Sequence, residues 1–323
     1  MNDLYAHLCR YDAQQWRRAV EALATEIHQI DREATKIWFA FFPLDLHLAL
    51  AQSEDPGALA RKLGLMGRWR LADQVDSSHQ FLFAHRYWSQ VKLGIQAYTG
   101  DLVDLGELTG AVATAAARTA RVDREFLLGI TAVGLMTLRQ VGPDAFAAAP
   151  GKVHLSARAR ALSPHQILRR RGRDDGQGLF GFLRGMKKRW TVTFDENEPD
   201  ASFTVIDGQE IATAAQSDKR EYRLRDERCI PGEGPIPVEC RAASCGTCWI
   251  GVLAGAEKLS PVVERDEQRR MKVFGYIDTT EERPIIRLAC QARAHGAISI
   301  VIPPWNGVFG AGLSRRGEPP ARD

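Results

Sequence analysis

Long hydrophobic runs are missing from this chain of 323 residues. The longest apolar stretches, residues 37–44 and 126–138, fall short of the roughly 18 residues that a membrane-spanning helix needs. Residues 1–9 contain neither a basic start nor a long apolar run, so a secretory signal peptide is not expected. We therefore expect no transmembrane segment and a cytoplasmic location.

A nucleotide-binding fingerprint is also lacking. Residues 176–181 match G-x-G-x-x-G, but residues 171–175, which precede them, are charged where a dinucleotide site needs a buried strand. We find no flavin or nicotinamide motif elsewhere. The sequence therefore does not predict a self-sufficient reductase.

Length and charge divide the chain into parts. The length predicts two domains, and 45% hydrophobic residues suffice for sizeable cores. Residues 151–187 hold nine basic and two acidic residues and predict a solvated basic linker between domains at 1–150 and 188–304, with a flexible tail at 305–323. The alternative to a solvated linker is that the basic run Arg169–Arg173 contacts the acidic surface of the C-terminal domain or a redox partner. We do not expect nucleic-acid binding.

Helical periodicity dominates residues 1–150. Asp12 precedes Gln15 by three positions, the signature of a capping box, and apolar residues follow at steps of three and four as far as Ile30. Asp55–Pro56 predicts another helix start, and Gly142–Pro143 predicts a helix end. We predict about six helices, with one or two of them over residues 71–98, forming an all-α bundle.

A period of two residues begins at Trp190. It predicts a hairpin and further strands with two helices between them, which is an α+β arrangement. The predicted strands are 190–194, 203–206, 249–253, 285–288 and 298–302, and the predicted helices are 211–217 and 261–274.

Four of the six cysteines have a spacing that indicates a metal cluster. Cys240, Cys245 and Cys248 form C-x4-C-x2-C, and 41 residues separate Cys248 from Cys290. This is the ligand pattern of plant-type 2Fe–2S clusters. A zinc site would favour paired C-x2-C knuckles, and the chain has one such knuckle; inert structural cysteines are the remaining alternative.

Because of this cysteine spacing, residues 189–304 resemble the plant-type 2Fe–2S ferredoxins. The resemblance implies a β-grasp fold and the four cysteines as ligands, with Cys240 and Cys245 on the inner iron and Cys248 and Cys290 on the iron nearer the surface. It also implies one-electron transfer at a potential of about −400 mV. The partners would be a reductase or an acceptor enzyme.

The residues between the first three ligands suit such a cluster, because small side chains let backbone N–H groups approach sulfur. We expect the cofactor to be lined by Arg241, Ala242, Ala243, Ser244, Gly246 and Thr247. Ala243 departs from the family by replacing a glycine, and Lys219–Ile236 looks like an insertion. Cys229 is predicted to be a packed thiol, or alternatively a substitute ligand.

A second candidate site lies in the helical region. If the segment is one helix, Asp76 and His79 have the i, i+3 spacing of a carboxylate-bridged metal site, whereas His79 and His85, six apart, cannot share one face. Either histidine could instead be an axial ligand of haem. The competing interpretation is that all three residues pack in an aromatic-rich core.

Three functions remain open at this stage. The first is an electron carrier whose helical domain docks a redox partner. The second is a redox enzyme in which the cluster feeds a haem or metal in the helical domain. The third is an iron–sulfur redox sensor. Because no complete catalytic site is evident, the sequence favours the carrier over the enzyme.

Overall fold

The structure is a computed structural model that describes residues 1–173, 188–262, 267–269, 271 and 281–307. The chain forms two compact units: residues 1–47 with 70–168, and residues 48–69 with 169 onward. Residues 48–69 belong to the second unit, where strand β1 (Met66–Gly67) pairs antiparallel with β9 (Trp305–Asn306).

The N-terminal region is helical, as predicted, with ten α-helices among residues 1–173. They are α1 (Asn2–Leu8), α2 (Ala13–Leu23), α3 (Gln29–Phe41), α4 (Leu44–Ala51), α5 (Pro56–Lys62), α6 (Trp88–Gln96), α7 (Leu105–Ala120), α8 (Arg124–Ala148), α9 (Ala157–Ala161) and α10 (Pro164–Arg170).

Local capping chemistry sets several of these boundaries. The Asp12 side chain accepts a hydrogen bond from Gln15 N at 2.7 Å, and the Gln15 side chain accepts one from Asp12 N at 2.9 Å. Asp55 accepts from Ala58 N at 2.8 Å, with Pro56 in the first turn of α5. Both predicted helix starts are confirmed. The apolar residues that follow Asp12 as far as Ile30 are divided between two helices, because α2 ends at Leu23 and α3 begins at Gln29.

The predicted helix over residues 71–98 is wrong for most of its length. Short 3₁₀ helices occupy Leu71–Gln74 and Phe83–Tyr87, turns lie between them, and only α6 is α-helical. The buried Asp31 carboxylate competes with helical hydrogen bonding here, because its two oxygens accept the Phe83 and Ala84 N–H groups at 2.6 and 2.8 Å. Tertiary contacts have overridden the local periodicity.

Helix α8 is long and apolar enough to cross a membrane by length and composition alone. Its most apolar window is 72% buried inside the structure, as in the core helix of a globular unit. Gly142, with φ 80° and ψ 166°, interrupts the helix where an end was predicted, and the helix then resumes through Pro143 to Ala148.

Among its described residues the second unit contains a mixed five-stranded sheet, made of β2 (Arg189–Thr193), β3 (Ser202–Ile206), β5 (Trp249–Ala254), β6 (Ile286–Leu288) and β8 (Ile298–Val301). The strands lie in the order β3-β2-β8-β5-β6. Strands β2 and β8 are parallel and the other neighbouring strands are antiparallel. Residues 190–206 form the predicted hairpin, in which Val192 lies opposite Phe203. The remaining elements are β4 (Gln209–Glu210), α11 (Ile211–Ala215) and β7 (Arg293–Ala294).

The predicted basic linker is not simply solvated at Arg171 and Gly172. The Arg171 guanidinium forms a bidentate ion pair with Glu196, with N–O distances of 2.8 and 2.9 Å, and its side chain is only 5% exposed. Gly172 O accepts a hydrogen bond from the Lys258 ammonium. The alternative contact with the chain's own C-terminal domain is therefore the observed one at this position. The G-x-G-x-x-G segment, most of the predicted helix 261–274 and the tail from 308 lie outside the described residues.

Candidate iron–sulfur site

The four motif cysteines meet at one end of the mixed sheet. Cys240 and Cys245 lie in the loop that leads into β5, Cys248 directly precedes β5, and Cys290 follows β6. Strands β5 and β6 pair Trp249 with Leu288, and Ala289 N donates to Cys248 O at 2.9 Å. Strand pairing therefore brings the distant fourth cysteine beside the third.

The thiols form two pairs. Cys240 hydrogen-bonds Cys245, and Cys248 hydrogen-bonds Cys290. Among the described residues no three His, Cys, Asp or Glu side chains converge on one point, as a single zinc ion would require. Two pairs of thiols instead fit a cluster with two irons, each held by two thiolates.

Backbone conformation supplies hydrogen-bond donors to the first cysteine. Arg241, Ala243 and Gly246 have positive φ angles of 54°, 55° and 71°. In this loop the N–H groups of Ala242, Ser244 and Cys245 lie 3.5, 3.3 and 3.3 Å from the Cys240 Sγ. Such a concave arrangement of N–H groups stabilises negative charge on sulfur.

The thiol acidities follow from this environment. Burial alone would raise the pKa of Cys240, but hydrogen bonds from the Ser244 side chain and from backbone N–H groups outweigh it and lower the pKa to about 7. The Cys248 thiol lowers the pKa of Cys290 to about 6, and this hydrogen bond, with burial, raises the pKa of Cys248. One thiol in each pair, Cys240 in the first and Cys290 in the second, is thus readily ionised, which suits a thiolate ligand.

The burial of the two pairs is opposite to the expectation taken from the family resemblance. Cys248 and Cys290 are each 2% exposed, whereas Cys240 and Cys245 are partly exposed. The reason is topological, because the first pair lies on the loop and the second at the ends of two paired core strands. The pair nearer the surface is therefore Cys240 with Cys245.

Side chains around the loop fix its shape. The Arg241 guanidinium donates to Gln216 Oε1 at 2.9 Å and to Glu233 Oε2 at 3.2 Å, which joins the ligand loop to the segment 219–236. Thr247 Oγ1 donates to Glu239 Oε2 at 3.1 Å. Sequence reasoning singled out Arg241 and Thr247 but missed their partners, since nothing in the spacing marks Gln216, Glu233 or Glu239.

Arginines hold residues 219–236 to other parts of the second unit. Arg228 donates to Asn306 Oδ1 at 2.9 Å, and Arg220 donates to Ser202 O at 3.0 Å. The Cys229 thiol donates to Pro235 O at 3.4 Å, and burial raises its pKa to about 11. Cys229 is thus a packed thiol with its own hydrogen-bond acceptor.

The second candidate site has a different geometry from that predicted. Because its segment is not one helix, His79 and His85 come together with their Nδ1 atoms 3.0 Å apart. Both rings are fully buried, and their Nε2 atoms have no hydrogen-bond partner among the described residues. The His79 ring also lies against Trp88, with centroids 4.2 Å apart.

These contacts do not assemble the predicted ligand set. The Asp76 carboxylate accepts hydrogen bonds from Trp88 Nε1 at 2.8 Å and from Gly151 N at 2.8 Å, so it braces the backbone. The two imidazoles instead contact each other directly through their Nδ1 atoms. Among the described residues, the pair belongs to no group of three or more His, Cys, Asp or Glu side chains that could hold a metal ion.

Comparison with known proteins agrees with the geometry of the cysteine site. Residues 194–295, about a third of the chain, match the model of a family described as the 2Fe-2S iron-sulfur cluster binding domain. A search of curated proteins gave no match, and a search of solved structures gave none. The matched range contains all four paired cysteines. The C-terminal part of this chain is therefore a ferredoxin-type domain that binds a 2Fe–2S cluster and serves electron transfer.

Proposed function

We propose that this protein is an electron carrier of the plant-type class, in which Cys240, Cys245, Cys248 and Cys290 bind the cluster and the helical unit docks a redox partner. The observation that carries the ligand assignment is the arrangement of these thiols in two hydrogen-bonded pairs at the end of one sheet. The mixed sheet with α11 against β3 supports a β-grasp fold for this domain. A cytoplasmic location is part of the proposal.

When bound, the cluster supplies a reversible one-electron couple. The residues of this chain divide the remaining work. Cys248 and Cys290 anchor the site in the core, while the backbone N–H groups around Cys240 stabilise negative charge on sulfur. The partial exposure of Cys240 and Cys245 leaves this side of the site accessible to a partner protein.

The ligand assignment is tested with anaerobically purified protein. We expect two irons per chain and broad visible bands near roughly 420 and 460 nm that bleach by about half with dithionite. Replacing any of the four paired cysteines by serine should remove or shift these bands. The matched control is C229S, which should leave the spectrum and the iron content unchanged. Full bands in C290S, or their loss in C229S, would contradict the assignment.

We assign docking to the helical unit because Asp76 there hydrogen-bonds the backbone and the described residues assemble no metal site. Leu93 on α6 is 62% exposed and offers a position for a surface change. In cell extract supplied with NADH or NADPH, L93E should slow reduction of the cluster, while reduction by dithionite and the potential stay unchanged. If the cluster is reduced as fast as in wild type in L93E and in variants at other exposed positions of this unit, the helical unit does not dock the partner.

A further inference from the structure

A carboxylate adjoins the ligand loop and contacts one of its hydroxyl groups. Glu239, which is exposed, directly precedes Cys240 in the chain. Its Oε2 accepts a hydrogen bond of 3.1 Å from Oγ1 of Thr247, which is 5% exposed and lies between Cys245 and Cys248. The contact joins the two ends of the three-cysteine loop.

The Thr247 hydroxyl has a second acceptor within reach. Burial raises the pKa of Cys245, and a hydrogen bond from the Thr247 side chain acts in the opposite direction. A hydroxyl group has one proton, so it cannot donate fully to both the carboxylate and the sulfur. Hydrogen bonds to a carboxylate oxygen are among the stronger ones, which favours Glu239 as the acceptor.

The choice of acceptor matters because hydrogen bonds to cluster sulfurs raise the reduction potential. A proton held by the carboxylate is withdrawn from Cys245. We propose that Glu239 is a positioning residue that keeps the Thr247 hydroxyl off the Cys245 sulfur and thereby lowers the reduction potential. This inference rests on the proposed set of ligands.

Ser244 provides an internal comparison. Its side chain hydrogen-bonds Cys240 Sγ and lowers the pKa of that thiol, as does the Ser244 backbone N–H. Its hydroxyl therefore already acts on sulfur. Removing it in S244A should lower the potential by the same amount whether residue 239 is Glu or Gln, because Glu239 acts through Thr247.

The test is a potentiometric titration of the cluster, followed by electron paramagnetic resonance, in wild type, E239Q, T247V and the double variant. E239Q should raise the ratio of reduced to oxidised protein at a fixed potential by about threefold. The rise should be smaller in the T247V background, where only the loss of charge remains. T247V alone should change the potential less than S244A does.

Equal effects of E239Q in both backgrounds would overturn the proposal, since Glu239 would then act through its charge alone. A fall in potential in T247V as large as in S244A would also overturn it. If T247V does not assemble a cluster, resonance Raman spectra of E239Q in H₂O and D₂O decide, because a hydroxyl on Cys245 makes an Fe–S stretch more isotope-sensitive than in wild type. Iron content and the visible spectrum of the wild type separately test the ligand set.

Discussion

Arg287 and Glu267 form a bidentate ion pair in which both side chains are 0% exposed, with N–O distances of 2.7 and 2.9 Å. Glu267 also accepts the Leu288 N–H at 3.0 Å, and Arg287 donates to Ser260 O at 2.9 Å. Arg287 lies on β6, three residues before Cys290. It ties the strand that delivers the fourth cysteine to residues 260 and 267.

Breaking this pair should destabilise the ferredoxin-type domain. In E267A the guanidinium stays buried without its counter-charge, which we expect to cost about 3–5 kcal/mol of unfolding free energy. The domain should also release its cluster at lower denaturant concentration, because β6 positions Cys290. Urea titration followed by visible absorbance measures both effects. The exposed Glu257 supplies the control, and E257A should shift the midpoint little. A near-zero effect of E267A would show that the pair is dispensable.

The conformation of Ala243 predicts which substitutions the ligand loop accepts. Its φ of 55° lies in the left-handed region, which costs a residue with a Cβ roughly 1–2 kcal/mol. Glycine relieves this strain but loses a buried methyl group and gains unfolded-state entropy, so A243G should change stability by less than about 1 kcal/mol. A β-branched side chain is much less tolerated there, and A243V should lose the cluster. Chemical denaturation and iron content check both, and an A243V protein as stable as wild type would refute the strain.

The hydrogen bonds of Asp31 predict the stability of the helical unit. D31A leaves the Phe83 and Ala84 N–H groups buried without their acceptor, so we expect a loss of about 2–6 kcal/mol, or roughly 1–3 kcal/mol for each N–H group. Circular dichroism at 222 nm during urea unfolding measures this loss. Asp45 is exposed, and D45A is expected to stay within about 0.5 kcal/mol of wild type.

The buried histidine pair predicts acid sensitivity of the same unit. Burial lowers the pKa of His85 to about 4, against the nearby Asp76 charge, and burial also lowers the pKa of His79 well below its ordinary value. The unfolded chain therefore binds more protons, so stability present above pH 6.5 is lost as the pH falls toward 4. His85 alone accounts for about 3 kcal/mol of this loss.

Replacing His85 by glutamine should flatten the dependence of unfolding free energy on pH between 6.5 and 4. His165 is exposed, so H165Q is the matched control and should keep the wild-type slope. The measurement is urea unfolding by circular dichroism at several pH values. The same slope in H85Q as in wild type would place the acid sensitivity elsewhere.

Predictions based on local chemistry succeeded where neighbours in sequence determine the outcome. The Asp12 capping box, the start at Asp55 and the hairpin after Trp190 all involve residues a few positions apart. The prediction of one or two helices over 71–98 failed outside α6, because Asp31, 52 and 53 residues away, accepts the backbone N–H groups of Phe83 and Ala84. One signal in the sequence was overlooked, namely that Arg287 is a charged residue within a predicted strand.

The sequence by itself determined that this chain binds a 2Fe–2S cluster, because ligand identity and spacing are properties of the covalent chain. Tertiary structure decided what spacing cannot encode. It placed the Cys248 and Cys290 pair in the core and the other pair nearer the surface, since strand pairing sets depth. It brought His79 and His85 together through turns, and it placed Glu239 on Thr247. Such relationships depend on how distant segments pack and on which acceptor a single proton reaches.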